Sequence, residues 1–206
     1  MRRDSGMSVP DQTAVLLDRL RAGDDQAVGE LFELYRERLW RMLYVRLDRR
    51  LGRRVSPEDV LQEAFIDVAK RIGEYVAEPS VPFYVWLRFL TVQRMQMIQR
   101  THLGAQMRDV GLEIGDDRVL VSSESMAGQL VGDMTSPSQV AIRRERQDRL
   151  RAALDEMDPL DREVLALRHF EELGNNEVAE VLGISKDAAS KRHVRALKRL
   201  KEILQG

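Results

Sequence analysis

The sequence predicts an all-α protein made of two helical domains joined by a flexible linker. Its 206 residues suit one ordinary domain or two small ones. A charged fraction of 33% with only 5% aromatic residues favours solvated helices over a β-sandwich. Apolar residues recur every three or four positions along most of the chain, and this period fades between residues 104 and 136, which contain five glycines. We therefore expect domains at 11–103 and 137–206, with a linker at 104–136.

The first domain is predicted to contain four helices. Apolar residues at helical spacing across residues 12–48, interrupted near Gly23, indicate a short helix, a turn and a longer helix. Ser56 and Pro57 mark the next helix start, because serine is a preferred N-cap and proline suits the first helical position. A further helix opens at Pro82.

The charge along the chain is segregated. Residues 81–108 hold four basic side chains and no acidic one, and residues 184–206 hold seven basic and two acidic side chains. Between them, residues 109–136 carry six acidic side chains and one arginine. The sequence therefore predicts an acidic linker between two basic regions, although the net charge of the chain is only −1.

The second domain carries a helix-turn-helix pattern after a break at Asp158-Pro159. Residues 175–193 read NNEVAEVLGISKDAASKRH. Asn175 is expected to cap a short helix, Gly183 to adopt the left-handed turn, and Ser185 to cap a second helix. Small alanines lie where the two helices must approach closely.

The second helix of this pattern is a candidate DNA-reading helix. Ala189, Ala196 and Leu200 form its inward stripe, and Lys191 and Arg195 lie nearly opposite. A charged helix face is usually only solvated, but together with the turn pattern it favours nucleic-acid binding. We expect base-edge contacts from Lys191 and Arg195 assisted by Ser190, and phosphate contacts from Lys186, Arg192 and Lys198.

The helix after Pro82 has a different chemistry. It interleaves aromatic, amide and guanidinium groups with no acid among them, a mixture that can stack on unpaired bases and hold a strand's phosphates. Its members are Tyr84, Trp86, Arg88, Phe89, Gln93, Arg94, Gln96, Gln99 and Arg100. The alternative is that Trp86, Leu87 and Leu90 are core, and for Trp86 we favour the core.

Asp59, Gln62 and Glu63 lie together on the side of their helix away from Leu61 and Phe65. From the residues alone, this side is a solvated face.

Taken together, these residues resemble the small two-domain sigma factors of bacterial RNA polymerase, the extracytoplasmic-function type of the sigma-70 family. The resemblance extends from about Asp11 to Leu204 and skips the linker. The stretches that carry it are residues 57–65 (PEDVLQEAF), 81–87 (VPFYVWL) and 154–165 (LDEMDPLDREVL) with the helix-turn-helix. It implies a bundle like sigma region 2 followed by a module like region 4.

The resemblance also implies partners and roles. Core RNA polymerase would bind Asp59, Gln62 and Glu63, and promoter DNA would be read at two elements. At the minus-ten element, strand capture would fall to Arg88, Gln93, Arg94 and Arg100. At the minus-thirty-five element, the groove-contacting positions would be Ser190, Lys191, Val194 and Arg195. An anti-sigma protein is a candidate further partner.

Other classes of protein fit less well. The runner-up is a helix-turn-helix transcriptional activator of the response-regulator kind, since residues 160–165 (LDREVL) suit both, but no alternating apolar run upstream could build its receiver sheet. We expect no enzyme, metal site or cofactor, because no two histidines stand at metal-ligand spacing and no phosphate loop or serine elbow is present. His193 is expected to be a packed histidine on the inward stripe.

The cellular setting is predicted from what the chain lacks. There are no cysteines, which excludes disulfides and thiolate metal sites and favours a reducing, cytoplasmic location. No uncharged stretch is longer than residues 79–87, which is far shorter than the roughly 20 residues that cross a bilayer. No apolar segment follows the first arginines, so we expect neither a secretory signal nor membrane insertion.

Overall fold

The computed structural model describes residues 8–47, 54–103, 120–131 and 137–205, and within these ranges it contains nine helices and no strand. This architecture confirms the predicted all-α class. The helices are α1 (Val9–Arg21), α2 (Ala27–Arg46), α3 (Pro57–Ala77), α4 (Phe83–Leu103), α5 (Ser123–Val131), α6 (Pro137–Asp155), α7 (Pro159–His169), α8 (Asn175–Leu182) and α9 (Lys186–Gln205).

Local sequence signals explain the starts of the first helices. Gly23 adopts a φ of +89° in the turn between α1 and α2, a conformation that favours glycine. At α3, the Ser56 hydroxyl accepts the Asp59 N–H (3.2 Å), and the Asp59 carboxylate accepts the Ser56 N–H (2.8 Å). This reciprocal capping box satisfies two amide donors and confirms the predicted helix start at Ser56-Pro57.

Helices α1 to α4 pack around an apolar core. Leu31, Leu39, Leu61 and Leu87 are fully buried there. Trp86 is half-buried against this core, with its ring centroid 5.0 Å from that of Tyr75. The preference for Trp86 as a core residue is therefore confirmed.

Helix α5 lies inside the segment that the sequence predicts to be linker. The Ser122 hydroxyl accepts the Ser125 N–H (3.1 Å) at its start, and Met126 and Ala127 are buried against α6 and α7 residues. The described part of this segment is therefore helical and packed. The helix has only nine residues and contains Gly128, so periodicity does not indicate it.

Helices α6 to α9 surround a second core that contains Leu154, Met157, Leu165 and Ala196. The Asp158 carboxylate caps α7 by accepting the Leu160 N–H (2.8 Å). The helix break predicted at Asp158-Pro159 therefore lies between the end of α6 and the capped start of α7.

The two groups of helices are in contact. Val164, Leu167 and Val178, which come from α7 and α8, belong to the same buried cluster as the core of α1 to α4. Where the sequence predicts two domains on a tether, this structure shows them packed together. Within the described ranges, no helix has both the length and the apolar character needed to span a membrane.

Candidate nucleic-acid interface

The helix-turn-helix is formed by α8, a short turn and α9. Gly183 ends α8 with φ 61° and ψ 38°, the left-handed conformation expected there. The Ser185 hydroxyl accepts the Ala188 N–H (3.2 Å), which caps α9 as predicted. At the start of α8 the N-cap is Gly174 and not Asn175, because the Glu177 carboxylate reaches back to accept the Gly174 N–H (2.8 Å).

The two faces of α9 differ as the sequence predicts. Ala189 and Ala196 are 1% and 0% exposed and pack inward, whereas Val194 is 65% exposed. The basic side chains Lys191 and Lys198 are each 77% exposed. Lys186 is also exposed, and Ser190 is half-buried. The outward face of α9 therefore presents cations around a small apolar patch.

Two arginines of α9 are held by a single buried carboxylate. Asp161, near the start of α7, lies 2.6 Å from Nη1 of Arg192 and 3.1 Å from Nη2 of Arg195. These hydrogen bonds raise the pKa of Arg195. Asp161 is only 6% exposed, and its two hydrogen bonds join the start of α7 to α9. Asp161 is far from α9 in the sequence, so the sequence analysis did not predict this contact.

His169 and His193 face each other between α7 and α9. Their Nε2 atoms are 3.1 Å apart and their ring centroids 5.2 Å apart. His193 is half-buried, so the predicted packed histidine instead shares a polar contact. Burial lowers the pKa of each imidazole, and the neighbouring Arg168 lowers both further. Because the two histidines are 24 positions apart in the sequence, the sequence analysis did not pair them.

The residues predicted for strand capture on α4 lie in different surroundings. Gln93 is half-buried and Arg100 is exposed. Arg94 forms a bidentate pair with Asp67, through Nε at 2.7 Å and Nη2 at 2.5 Å. Phe89 and Met97 are 46% and 52% exposed. Since Phe89, Gln93 and Met97 are spaced by four residues, they share one accessible face of the helix.

Three of the nine aromatic, amide and guanidinium residues singled out on α4 are buried in this structure, and Gln99 is one of them at 9% exposure. Tyr84 is 2% exposed, and desolvation raises the pKa of its hydroxyl. Arg88 is 8% exposed, and its Nε lies 2.6 Å from Oε2 of Glu171. Burial alone would raise the pKa of Glu171, but the guanidinium groups of Arg46 and Arg88 outweigh it and lower this pKa. Tyr84 is thus a core residue, and Arg88 faces the second group of helices.

The three residues predicted to bind polymerase lie together on α3. Asp59, Gln62 and Glu63 are all exposed. The hydrogen bonds from the Ser56 backbone and side chain lower the pKa of Asp59, so this residue has a capping role as well. Glu63 is 3.7 Å from Nη1 of Arg94, which links this acidic face to α4.

A helix-turn-helix with an exposed cationic second helix defines the class of DNA-binding proteins that read the major groove. Comparison with known families narrows this class. The model described as "Sigma-70 region 2" matches residues 31–102, and "Sigma-70, region 4" matches residues 147–200. Together these matches cover more than half of the chain.

Similar proteins agree with the family models. ECF RNA polymerase sigma factor BldN of Streptomyces coelicolor is 25% identical, over 98% of this chain and 70% of its own length. RNA polymerase sigma factor CnrH of Cupriavidus metallidurans is 25% identical over 96% of this chain and 97% of its own. A solved structure of CnrH in complex with the cytosolic domain of CnrY has a TM-score of 0.55 and 19% identity, covering 95% of this chain and 98% of that one. The similarity to the solved CnrH structure shows a shared fold and nothing more.

The chain belongs to the sigma-70 family and is a sigma factor of the extracytoplasmic-function type. As a sigma factor it acts in transcription initiation, with core RNA polymerase and promoter DNA as its partners. The resemblance drawn from the sequence is therefore confirmed.

Proposed function

We propose that this sigma factor directs promoter-specific initiation by three surfaces on two domains. Residues 137–206 read the minus-thirty-five element through α9. Residues 11–103 capture the melted minus-ten strand through α4 and bind core polymerase through α3. Residues 104–136 connect the two readers at the spacing of the promoter elements. The protein acts by binding and not by catalysis, and in the cytoplasm, where bacterial RNA polymerase works.

The outward face of α9 is the observation that carries this proposal. Lys191 and Arg195 have 77% and 62% of their side chains exposed, one helical turn apart. Both can reach guanine edges, and the exposed Val194 between them can contact a thymine methyl group. Ser190 adds a hydroxyl to the same contact, while Lys186, Arg192 and Lys198 hold phosphates and set the register.

Strand capture is assigned to α4. The accessible face with Phe89, Gln93 and Met97 offers an aromatic ring and an amide to unstacked bases. Arg100 and Arg94 lie near the same face and can hold backbone phosphates, Arg94 by exchanging Asp67 for a phosphate. Arg88 joins this surface only when the second group of helices moves away from it.

Polymerase binding is assigned to Asp59, Gln62 and Glu63. Their exposure on one face of α3 leaves carboxylates available to basic groups of a large partner. An anti-sigma protein is a further proposed partner, supported by the complex that the similar sigma factor CnrH forms with CnrY.

Run-off transcription tests the proposal. Purified core polymerase, with and without this protein, is given a library of random-sequence promoters, and the initiating templates are sequenced. We expect initiation to depend on the protein and to select two separated elements. Binding to DNA without any initiation would contradict the proposal and favour the activator class.

Variants on α9 and on α3 distinguish the proposed DNA-reading surface from the proposed polymerase-binding surface. Lys191→Ala with Arg195→Ala should abolish preference at the upstream element while leaving polymerase binding intact. Gln62→Ala with Glu63→Ala should weaken polymerase binding. The matched control is Glu74→Ala, an exposed carboxylate on the same helix about 16 Å from Glu63. If Glu74→Ala weakened polymerase binding as much as the double variant does, the assignment of polymerase binding to Gln62 and Glu63 would be contradicted.

A further inference from the structure

A pair of histidines connects α7 to α9. His169 is the last residue of α7 and His193 lies in the first half of α9, and their Nε2 atoms are 3.1 Å apart. Because these residues are 24 positions apart in the sequence, their spacing along the chain predicts no metal site. The fold nevertheless brings the two imidazoles together, and imidazole is the commonest metal ligand among protein side chains.

The distance between the two Nε2 atoms fits a metal ion as well as a hydrogen bond. Without an ion, one ring donates its Nε2–H to the other Nε2. Two nitrogens that bind one ion at about 2.0–2.1 Å, with an angle of about 90–109° between the bonds, lie about 2.8–3.4 Å apart. The distance of 3.1 Å is inside that range. A small rotation of each ring would therefore let an ion replace the shared proton.

The protonation and exposure of the pair also suit an ion. Imidazole binds metal in its neutral form, and an ordinary histidine, with a pKa of about 6.5, is mostly neutral at about pH 7.5. His169 is exposed and His193 is half-buried, so an ion can enter from solvent and keep water molecules as its other ligands. The ring that gives up its Nε2 proton takes one at Nδ1, so both rings stay neutral.

The surroundings favour a transition-metal ion that prefers nitrogen ligands. In the described ranges of the chain, no group of three or more histidine, aspartate or glutamate side chains could hold an ion, so the pair has no carboxylate to add. The charge of Arg168 acts on both imidazoles and opposes a cation that is held mainly by charge. Mg²⁺ and Ca²⁺ need oxygen ligands, whereas Zn²⁺, Ni²⁺ and Cu²⁺ bind imidazole well.

We propose that His169 and His193 form a binding site for one divalent transition-metal ion of the Zn²⁺, Ni²⁺ and Cu²⁺ class, which joins the end of α7 to α9. The ion adds a second polar attachment between these helices, beside the one that Arg192 makes with Asp161 (2.6 Å). Two protein ligands are half the set of a structural zinc site, so we expect a dissociation constant on the order of 1–100 µM. The site needs neither DNA nor polymerase, so this inference does not depend on the proposed function.

Zinc titration of the full chain, purified without a histidine tag, tests the site. ZnCl₂ is added at about pH 7.5 in a calorimeter, and MgCl₂ is added in a parallel titration. We expect the wild type to bind one Zn²⁺ and no Mg²⁺, and His169→Gln and His193→Gln each to bind Zn²⁺ at least ten-fold more weakly. The matched control is His102→Gln, which removes the third histidine of the chain, on α4, and should leave zinc binding unchanged.

Two further measurements support the titration. ZnCl₂ at about ten times the dissociation constant should raise the thermal unfolding midpoint of the wild type by about 3–6 °C. The double variant His169→Gln with His193→Gln should show no such rise. If circular dichroism shows that the variants have lost helix, ¹⁵N spectra of the wild-type imidazoles replace them, and Zn²⁺ should shift the Nε2 signals of two histidines and not of the third.

Three results would overturn the proposal. The first is that the wild type shows no saturable zinc binding. The second is that the folded double variant binds Zn²⁺ as tightly as the wild type, which would place the ion elsewhere on the chain. The third is that zinc leaves the imidazole signals of His169 and His193 unchanged.

Discussion

The carboxylate of Asp161 lies 2.6 Å from Nη1 of Arg192, so one buried acid on α7 is hydrogen-bonded to the helix that we propose reads DNA. Arg195 shares the same carboxylate oxygen at 3.1 Å. A reading helix must keep its angle to the groove, because side chains that reach base edges tolerate little displacement. The stability of α9 and its DNA affinity are therefore connected through Asp161.

Asp161→Ala should destabilise the protein by about 1–3 kcal/mol, because it leaves Arg192 without its buried partner. Urea denaturation followed by circular dichroism measures the change. Glu202→Ala is the control, since it removes an exposed partner 3.8 Å from Lys198 and should cost at most about 0.5 kcal/mol. Similar losses for both variants would show that the Asp161 contact adds no special stability.

Lys198→Ala should lower the salt dependence of duplex binding by nearly one unit of log–log slope, because each neutralised phosphate contributes about 0.9. Arg195→Ala should instead cost about 1–3 kcal/mol on the specific sequence and relax base preference. Fluorescence anisotropy at several salt concentrations distinguishes these effects. Lys201→Ala, about 15 Å along the helix from Lys191, is the control and should alter neither quantity.

Gly183→Ala and Gly73→Ala should change stability in opposite directions. Gly183 has a φ of 61°, so alanine there should cost about 1–2 kcal/mol. Gly73 lies within α3, and a Cβ there meets nothing within 4 Å, so alanine should add about 0.5–1 kcal/mol by helix propensity. Thermal denaturation monitors both. A loss at Gly73 would contradict the open surroundings described for it.

The histidine pair should make part of the stability depend on pH. Burial lowers the pKa of His169 and of His193 in the folded chain below the ordinary value of 6.5. As pH falls, the unfolded chain therefore takes up protons at a higher pH than the folded chain. The stabilising contribution of the two neutral imidazoles is complete above pH 6.5 and is lost as pH falls through the folded pKa values. The double variant His169→Gln with His193→Gln lacks this loss.

Urea denaturation at about pH 7.5 and about pH 5.5 checks the expectation. The stability difference between wild type and double variant should shift against the wild type at the lower pH. A difference that stays constant, or moves in favour of the wild type, would contradict the lowered pKa values of the two imidazoles.

Local chemistry explains why so much of this fold was predictable. The start of α3 follows from Ser56, Pro57 and the Asp59 carboxylate, all within four residues. The turn of the helix-turn-helix follows from Gly183 and Ser185. These signals act through neighbouring backbone groups, so their meaning does not depend on distant parts of the chain.

The missed features depend on tertiary packing. Arg88 and Glu171 are 83 residues apart, and nothing local shows that an arginine on α4 is covered by a loop of the second group. The same holds for His169 with His193. Helix α5 escaped prediction because its burial against the second core, and not its own periodicity, stabilises it.

The two tryptophans of the chain lie beside different proposed surfaces. Trp40 is half-buried, and its indole Nε1 donates to Glu58 (2.5 Å), one residue before Asp59. Trp86 lies on α4 with its ring tilted against that of Tyr75 on α3, and it precedes the exposed Phe89 by three residues. Replacing either tryptophan with phenylalanine would leave a single fluorescent tryptophan. The emission of Trp40 would then report polymerase binding at the proposed α3 surface, and the emission of Trp86 would report binding of single-stranded DNA at the proposed α4 surface.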